Sequence, residues 1–266
     1  MFNKLFIRIN KVYIHLIYIW SKRFNKELDK DLTSSMQSLK DITLEKNYML
    51  FHHAFWHKMP EWIRSHRSYF RSKQRGFGED AFHSMWYLIL SKYRPKNMLE
   101  IGVYRGQVIS LWSLISEKIS NPHNIHGISP FSNVGDQVSA YIDIDYLSDV
   151  QLNFKQLNLN LPTLHNGFST DKKMLNIIKS TKWDLIYIDG SHDYNIVKQD
   201  FQICASSLSE KGLIVLDDSA LYTSYKPPVF GSPGHPGPST VANEINKKNF
   251  IEILSVGHNR VFQSTK

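Results

Sequence analysis

From residue 97 onward, short β-branched apolar runs alternate with stretches of helical spacing. NMLEI from Asn97, NIHGIS from Asn124 and a short run in PTLHNG from Pro162 read as strands, and DLIYI from Asp184 and GLIVL from Gly212 as strands buried on both faces. Between the last two, Ile196, Val197, Phe201, Cys204 and Leu208 recur at helical spacing, and Lys211-Gly212 supplies a turn. Such a strand–helix–strand unit brings two parallel strands into one sheet with both carboxyl ends on the same edge. After a helix expected over residues 240–248, FIEILSVGHNRVFQ closes the chain as a hairpin turned at Gly257-His258-Asn259. The pattern predicts an α/β, Rossmann-like architecture: seven strands, mostly parallel, finished by a C-terminal antiparallel hairpin.

The first 75 residues follow another pattern, which sets an N-terminal helical extension apart from a domain over residues 76–266. Lys4, Arg8, Lys11, His15, Lys22 and Lys26 fall at spacings of three, four or seven, and Leu5, Phe6, Ile9, Val12, Tyr13, Leu16, Ile17 and Trp20 fill the other side. This is a basic amphipathic helix whose apolar run is too short to span a bilayer. Two arrangements fit it: an interfacial helix on an anionic membrane surface, or a helix packed on the domain or on another subunit of a homo-oligomer. A polar linker follows over residues 25–41. His52, His53 and His57, without an accompanying carboxylate, are expected on a helix surface, and Arg64, Arg67, Arg71 and Arg75 on a solvated face. RGFGEDAFHSMWYLILSKYRP is a loop entering a helix, with Glu79 at its start and Pro95 beyond its end.

A length of 266 residues accommodates one large α/β domain plus an appendage. The net charge of +8 is concentrated in the first 26 residues, which hold six Lys or Arg and no acid, and in Glu61 to Arg75. No recognisable nucleic-acid motif accompanies that charge, so no nucleic-acid partner is expected. The single Cys204 excludes an intrachain disulfide, sits on an apolar helix face and fits a reducing compartment. A cytoplasmic protein, peripheral to the inner face of the membrane in the interfacial arrangement, is the expectation.

Candidate chemistry gathers at one sheet edge. One strand ends on Asp189 with His192 three residues on, and its neighbour ends on Asp217-Asp218. Open α/β sheets bind ligands outside the carboxyl ends of their strands. Upstream, NMLEI runs into Gly102-Val-Tyr-Arg-Gly106, a glycine-bearing strand-to-helix turn that allows a ligand close to backbone N–H groups. Its glycines do not follow the GxGxxG spacing of dinucleotide binders. Two loops, over residues 130–145 and the proline- and glycine-rich 219–239, are placed to cover this edge.

From about Gly76 to Gln263 the chain resembles the class I S-adenosylmethionine-dependent methyltransferases, and within them the metal-dependent macrocin and mycinamicin type of sugar O-methyltransferase. LEIGVYRG resembles the first glycine motif and GFSTD the segment around the adenine. YIDGSHDY followed by VLDDS resembles the paired acidic motifs that hold Mg²⁺. The resemblance implies S-adenosylmethionine and Mg²⁺ as cofactors, with Asp189, Asp217 and Asp218 as metal ligands and His192 as general base. It implies Glu100, Gly102 and Gly106 at the methionine end of the cofactor, Ser169 and Thr170 at the adenine, and Asp189 beside the cofactor as well. At the ribose, where that family usually carries an acid, this chain has Ser129, leaving a neutral hydrogen bond or a replacement carboxylate such as Asp136. The implied reaction is methyl transfer to a hydroxyl of a sugar or other glycan-like acceptor. A phenolic or catechol acceptor, or a non-catalytic binding protein of the same fold, are the alternatives.

Overall fold

The computed structural model describes residues 44–72, 75–136, 141–228 and 231–266. The basic helix expected over residues 4–26 and the linker over 25–41 lie outside them. Among the described residues, three helices precede the sheet: α1 (Leu44–His57), α2 (Glu61–Arg71) and α3 (Asp80–Tyr93). Then follow β1 (Asn97–Ile101), α4 (Gln107–Lys118), β2 (Asn124–Ser129), α5 (Tyr146–Gln156), β3 (Thr163–Asn166) and α6 (Lys172–Ser180). The chain continues through β4 (Trp183–Ile188), α7 (Tyr194–Ser206), β5 (Leu208–Leu216), α8 (Pro236–Glu244), β6 (Phe250–Val256) and β7 (Asn259–Ser264).

The strands form one sheet in the order β3-β2-β1-β4-β5-β7-β6. The first five are parallel, and β7 runs antiparallel to both β5 and β6. This is the Rossmann-like class I methyltransferase fold with its closing hairpin, and strand order reverses direction between β1 and β4. Alternate residues of each inner strand face opposite sides. Leu185 and Tyr187 join Trp86 and Trp112 in one core, whereas Ile186 and Ile188 join Val197, Cys204 and Val241 in the other. Trp86 meets Trp112 and Tyr187 edge-on at 5.1 and 5.0 Å, so truncating it to Ala should cost about 3–5 kcal/mol.

Residues 44–72 share the first of these cores. Tyr48, Phe51, Phe55 and Ile63 pack with the sheet residues, and Asn47 Nδ2 donates to the Ser255 carbonyl on β6 at 3.2 Å. The division expected after residue 75 thus falls between helices of one core. Because α1 is covered by α3 and by β6, His52 and His53 are buried rather than on a helix surface. Arg67 is likewise not on a solvated face, since it donates to the buried Asp80 at 3.1 Å. The last helix spans Pro236–Glu244 instead of 240–248. Proline is tolerated in a first helical turn, where its missing N–H has no intrahelical partner, so Pro236 and Pro238 open the helix. No helix among the described residues is long and apolar enough to cross a membrane.

Candidate active site

The parallel register carries three chain segments to one edge at the β1–β4 switch point. Asp189 N donates to the Ile101 carbonyl at 2.8 Å and Asp217 N to the Ile188 carbonyl at 3.1 Å, so the acidic loops continue the ladder of β1, β4 and β5. Gly102, with φ +95°, sits directly against the Asp189 backbone, and a Cβ there would overlap the Asp189 carbonyl. Only glycine admits both that conformation and that approach. Gly106 stands at the N-cap of α4. Beside this turn Glu100 is buried, and its Oε2 has no hydrogen-bond partner. Burial pushes its pKa well above the ordinary carboxylate range.

The acids crowd one another. Burial, together with Asp217 alongside, drives Asp189 well above its usual range, and the two side chains hydrogen-bond. Burial also raises Asp217, an effect that His258 opposes. Burial would raise Asp218 too, but the His192 hydrogen bond and the charge of His258 hold it below its usual value. Asp218 takes the left-handed backbone conformation, φ +49°, a strain of about 1–3 kcal/mol of the kind that gathers at functional sites. Its carbonyl accepts from His235 N at 2.8 Å and from Ser239 Oγ at 3.2 Å, so the start of α8 fixes this turn. Gly237, where a Cβ would overlap the His192 carbonyl, lets α8 lie on the His192 loop.

His192 is gripped by two carboxylates. Its backbone N and Nδ1 donate to Asp136 Oδ2 at 2.6 and 2.7 Å, and Nε2 lies 3.0 Å from Asp218 Oδ2. Burial alone would lower the imidazole, but these bonds outweigh it and raise the pKa to about 9. Both ring nitrogens therefore carry a proton at neutral pH. Asp136, considered above for the ribose, is committed to His192 instead. Two further imidazoles arrive that the sequence did not single out as site residues. His235 stacks edge-on to His192 at 4.2 Å, and His258 Nε2 lies 3.3 Å from Asp217 Oδ1. His258 comes from the β6–β7 turn. Since Leu216 pairs with Arg260 in antiparallel register, that turn falls at the carboxyl end of β5, a placement implicit in a hairpin added beside that strand.

The remaining expected residues are less central. Ser129 ends β2, and its carbonyl accepts from Gly167 N at 3.1 Å. Ser169 Oγ donates to Asp200 Oδ2 at 3.0 Å, which turns it toward α7, while Thr170 is exposed. A depression of about 650 Å³, lined by Ser113, Ser116, His123 and Asn160 among others, lies at the amino ends of β2 and β3, away from the acids.

The donor set suits a divalent cation. Asp189, Asp217 and Asp218 supply the hard oxygens Mg²⁺ takes, and Asp217 Oδ1 is buried without a hydrogen bond. Ligand atoms of Asp217, Asp218 and His258 lie within 4.8 Å of one another, as do those of His192, Asp218 and His235. Among the described residues Asp189 belongs to neither group and joins through Asp217. The glycine turn and the unpartnered Oε2 of Glu100 suit a ligand carrying N–H or cationic groups, as the methionine end of S-adenosylmethionine does.

Residues 99–219 match the family described as a methyltransferase domain. The fold of the chain is that of the class I methyltransferases. It matches no curated protein in sequence. SAH-bound methyltransferase PaMTH1 of Podospora anserina is 15% identical with a TM-score of 0.55, over 78% of this chain and 89% of that one. A putative caffeoyl-CoA O-methyltransferase of Staphylococcus aureus is 14% identical with a TM-score of 0.55, over 79% and 95%. An O-methyltransferase of Bacillus cereus in complex with SAH is 12% identical with a TM-score of 0.56, over 84% and 100%. At these identities the shared feature is the fold of the methyltransferase domain.

Proposed function

We propose that the protein is an S-adenosylmethionine-dependent O-methyltransferase that methylates a hydroxyl of a sugar or glycan-like acceptor. The domain match and the SAH named in the titles of two structural relatives support the cofactor. O-methyl transfer is named for two of them. The observation that carries the reading is the close packing of Gly102 on Asp189, which joins a glycine turn suited to the methyl donor to an acid cluster suited to a divalent cation. The resemblance of the acidic motifs makes Mg²⁺ the expected ion. Such a cation would make a coordinated hydroxyl more acidic.

The chain's own residues orient and move protons. Asp136 fixes the ring plane of His192 through two bonds to one carboxylate oxygen. His192 can accept a proton from an acceptor hydroxyl only after Nε2 gives up its own, when Asp218 turns to another partner. General-base assistance of this type contributes roughly 10²–10⁴-fold, and in-line positioning supplies much of the rest. A wall of carboxylates and imidazoles favours an acceptor with neighbouring hydroxyls. A phenolic acceptor is the second reading, favoured by the exposed Phe77, which packs at 5.1 Å on Tyr104 of the glycine turn.

Thermal denaturation with S-adenosylhomocysteine, with and without EDTA, tests the cofactor. Product mass spectrometry with sugar and catechol panels tests the acceptor. Stabilisation by S-adenosylhomocysteine and a cation-dependent mass gain of one methyl on a sugar are expected. Absence of any response to S-adenosylhomocysteine would remove the enzyme reading, and methylation confined to catechols would replace the acceptor.

A further inference from the structure

His258 faces the acid pair in the manner of a ligand. Its Nδ1–H donates to the Ser232 carbonyl at 3.0 Å, leaving Nε2 toward Asp217 Oδ1 at 3.3 Å. Metal-binding histidines almost always hold their second ring nitrogen this way, with an oxygen acceptor fixing tautomer and ring orientation. The tip that carries the ring is itself fixed. Ser219 N and Oγ donate to the His258 carbonyl at 2.9 and 3.2 Å, and the ring meets Phe82 edge-on at 4.8 Å. The ligand atoms of Asp217, Asp218 and His258 fall within 4.8 Å of one another. Two ligands about 2.1 Å from a shared ion can lie about 4 Å apart, so small side-chain adjustments close the group around one ion. The neighbouring His192 is a weaker candidate, because both its ring nitrogens already face carboxylates.

We propose that His258 is a nitrogen ligand of this centre, which with Asp217 and Asp218 forms a mixed nitrogen–oxygen site suited to a first-row transition ion such as Co²⁺ or Zn²⁺. The inference rests on the cation reading above and departs from it in the class of ion, because the nitrogen ligand replaces the all-oxygen set on which Mg²⁺ was expected. Mg²⁺ takes oxygen ligands, whereas imidazole suits zinc, iron and nickel. First-row ions exceed Mg²⁺ at almost any site of this kind, so a bare preference decides nothing, and the nitrogen itself must be tested.

Full-length protein stripped of cations is titrated with Co²⁺ and with Mg²⁺, alongside His258→Gln. The variant should lose at least ~10-fold in Co²⁺ affinity and change by less than about twofold for Mg²⁺. Its affinity for S-adenosylhomocysteine should match that of the native protein, which reports an intact fold. Proton NMR of the Co²⁺-loaded native protein should show a paramagnetically shifted, exchangeable imidazole N–H from Nδ1, retained in His192→Gln and absent in His258→Gln. Equal losses for both ions, no loss for either, or no shifted imidazole N–H overturns the inference. If His258→Gln does not fold, the native and His192→Gln spectra decide alone. Binding of Mg²⁺ through Asp217 with a silent His258 variant would sink this inference only. Failure of every divalent ion to bind, with S-adenosylhomocysteine still bound, would sink the cation reading itself.

Discussion

Behind α3, Asp80 meets Arg67 at 3.1 Å and His52 at 3.8 Å, and His66 links His83 at 3.2 Å to Ser110 at 3.0 Å. At the carboxyl ends of β4 and β5, Asp189, Asp217 and Asp218 face one another and are joined by His192, His235 and His258. Both clusters are buried and ionisable. In the first, the acid has a permanent cation of the chain beside it, and burial keeps the linked imidazoles neutral, His66 down to about 3 and His83 well below its usual range. In the second, acid is set against acid, two carboxylates are pushed upward, and Asp217 Oδ1 is left without a hydrogen bond. The first cluster pairs its acid within the chain, whereas the second sets more carboxylates together than its imidazoles pair, an arrangement the proposed cation would relieve.

Removing a carboxylate from the second cluster should separate activity from stability most sharply. Asp217→Asn is expected to lower cation-dependent turnover by at least ~10³-fold. The same change relieves like-charge repulsion and should raise the stability of the cation-free protein by about 1 kcal/mol. Steady-state rates and chemical denaturation of one preparation check both; a variant both inactive and destabilised would mean that Asp217 serves the fold. The mirror change, Asp80→Ala, strands the buried Arg67 and should cost about 3–5 kcal/mol, with divalent-cation affinity unchanged by titration calorimetry.

Acid should also distinguish the clusters. His66 and His83 have folded values below that of a free imidazole, about 6.5, so the unfolded chain binds more protons below that pH. Their contribution is fully present above about 6.5 and is lost as pH falls below it, for His66 down to about 3, at up to about 1.4 kcal/mol per pH unit for each histidine. His66→Gln should flatten this limb in urea denaturation between pH 6.5 and 5, and an unchanged slope would contradict the neutral, buried assignment. The smallest effect is expected at Asp136. Asp136→Asn removes one of the two carboxylates that hold His192 up, so the histidine-dependent limb of the pH–rate profile should move to lower pH. Turnover should fall by roughly 10-fold, with S-adenosylhomocysteine affinity unchanged.

What the sequence revealed of this contrast follows from which interactions are local. β1 and β2 span the NMLEI and NIHGIS segments expected of them, because short strands bounded by loop residues leave a local pattern. Asp189 and Asp217-Asp218 were legible as one site because parallel strands on either side of a crossover must end together. His258 and His235 were not singled out, since they reach the site through the pairing of β7 with β5 and the docking of α8, neither of which leaves a local pattern. His52 and His53 show the same limit. Their polarity suggested a surface, but α3 and β6 cover α1 on more than its apolar stripe. Ser169 lies in a motif-like segment, yet its partner Asp200 stands 31 residues away on α7.

The decisive measurement is transfer of an isotopically labelled methyl group from S-adenosylmethionine to a panel of hydroxyl acceptors, run before EDTA, after EDTA and after return of a divalent cation. Labelled product that disappears with chelation and returns with the cation is the expected result. Methyl transfer indifferent to EDTA would contradict a cation held by Asp189, Asp217 and Asp218.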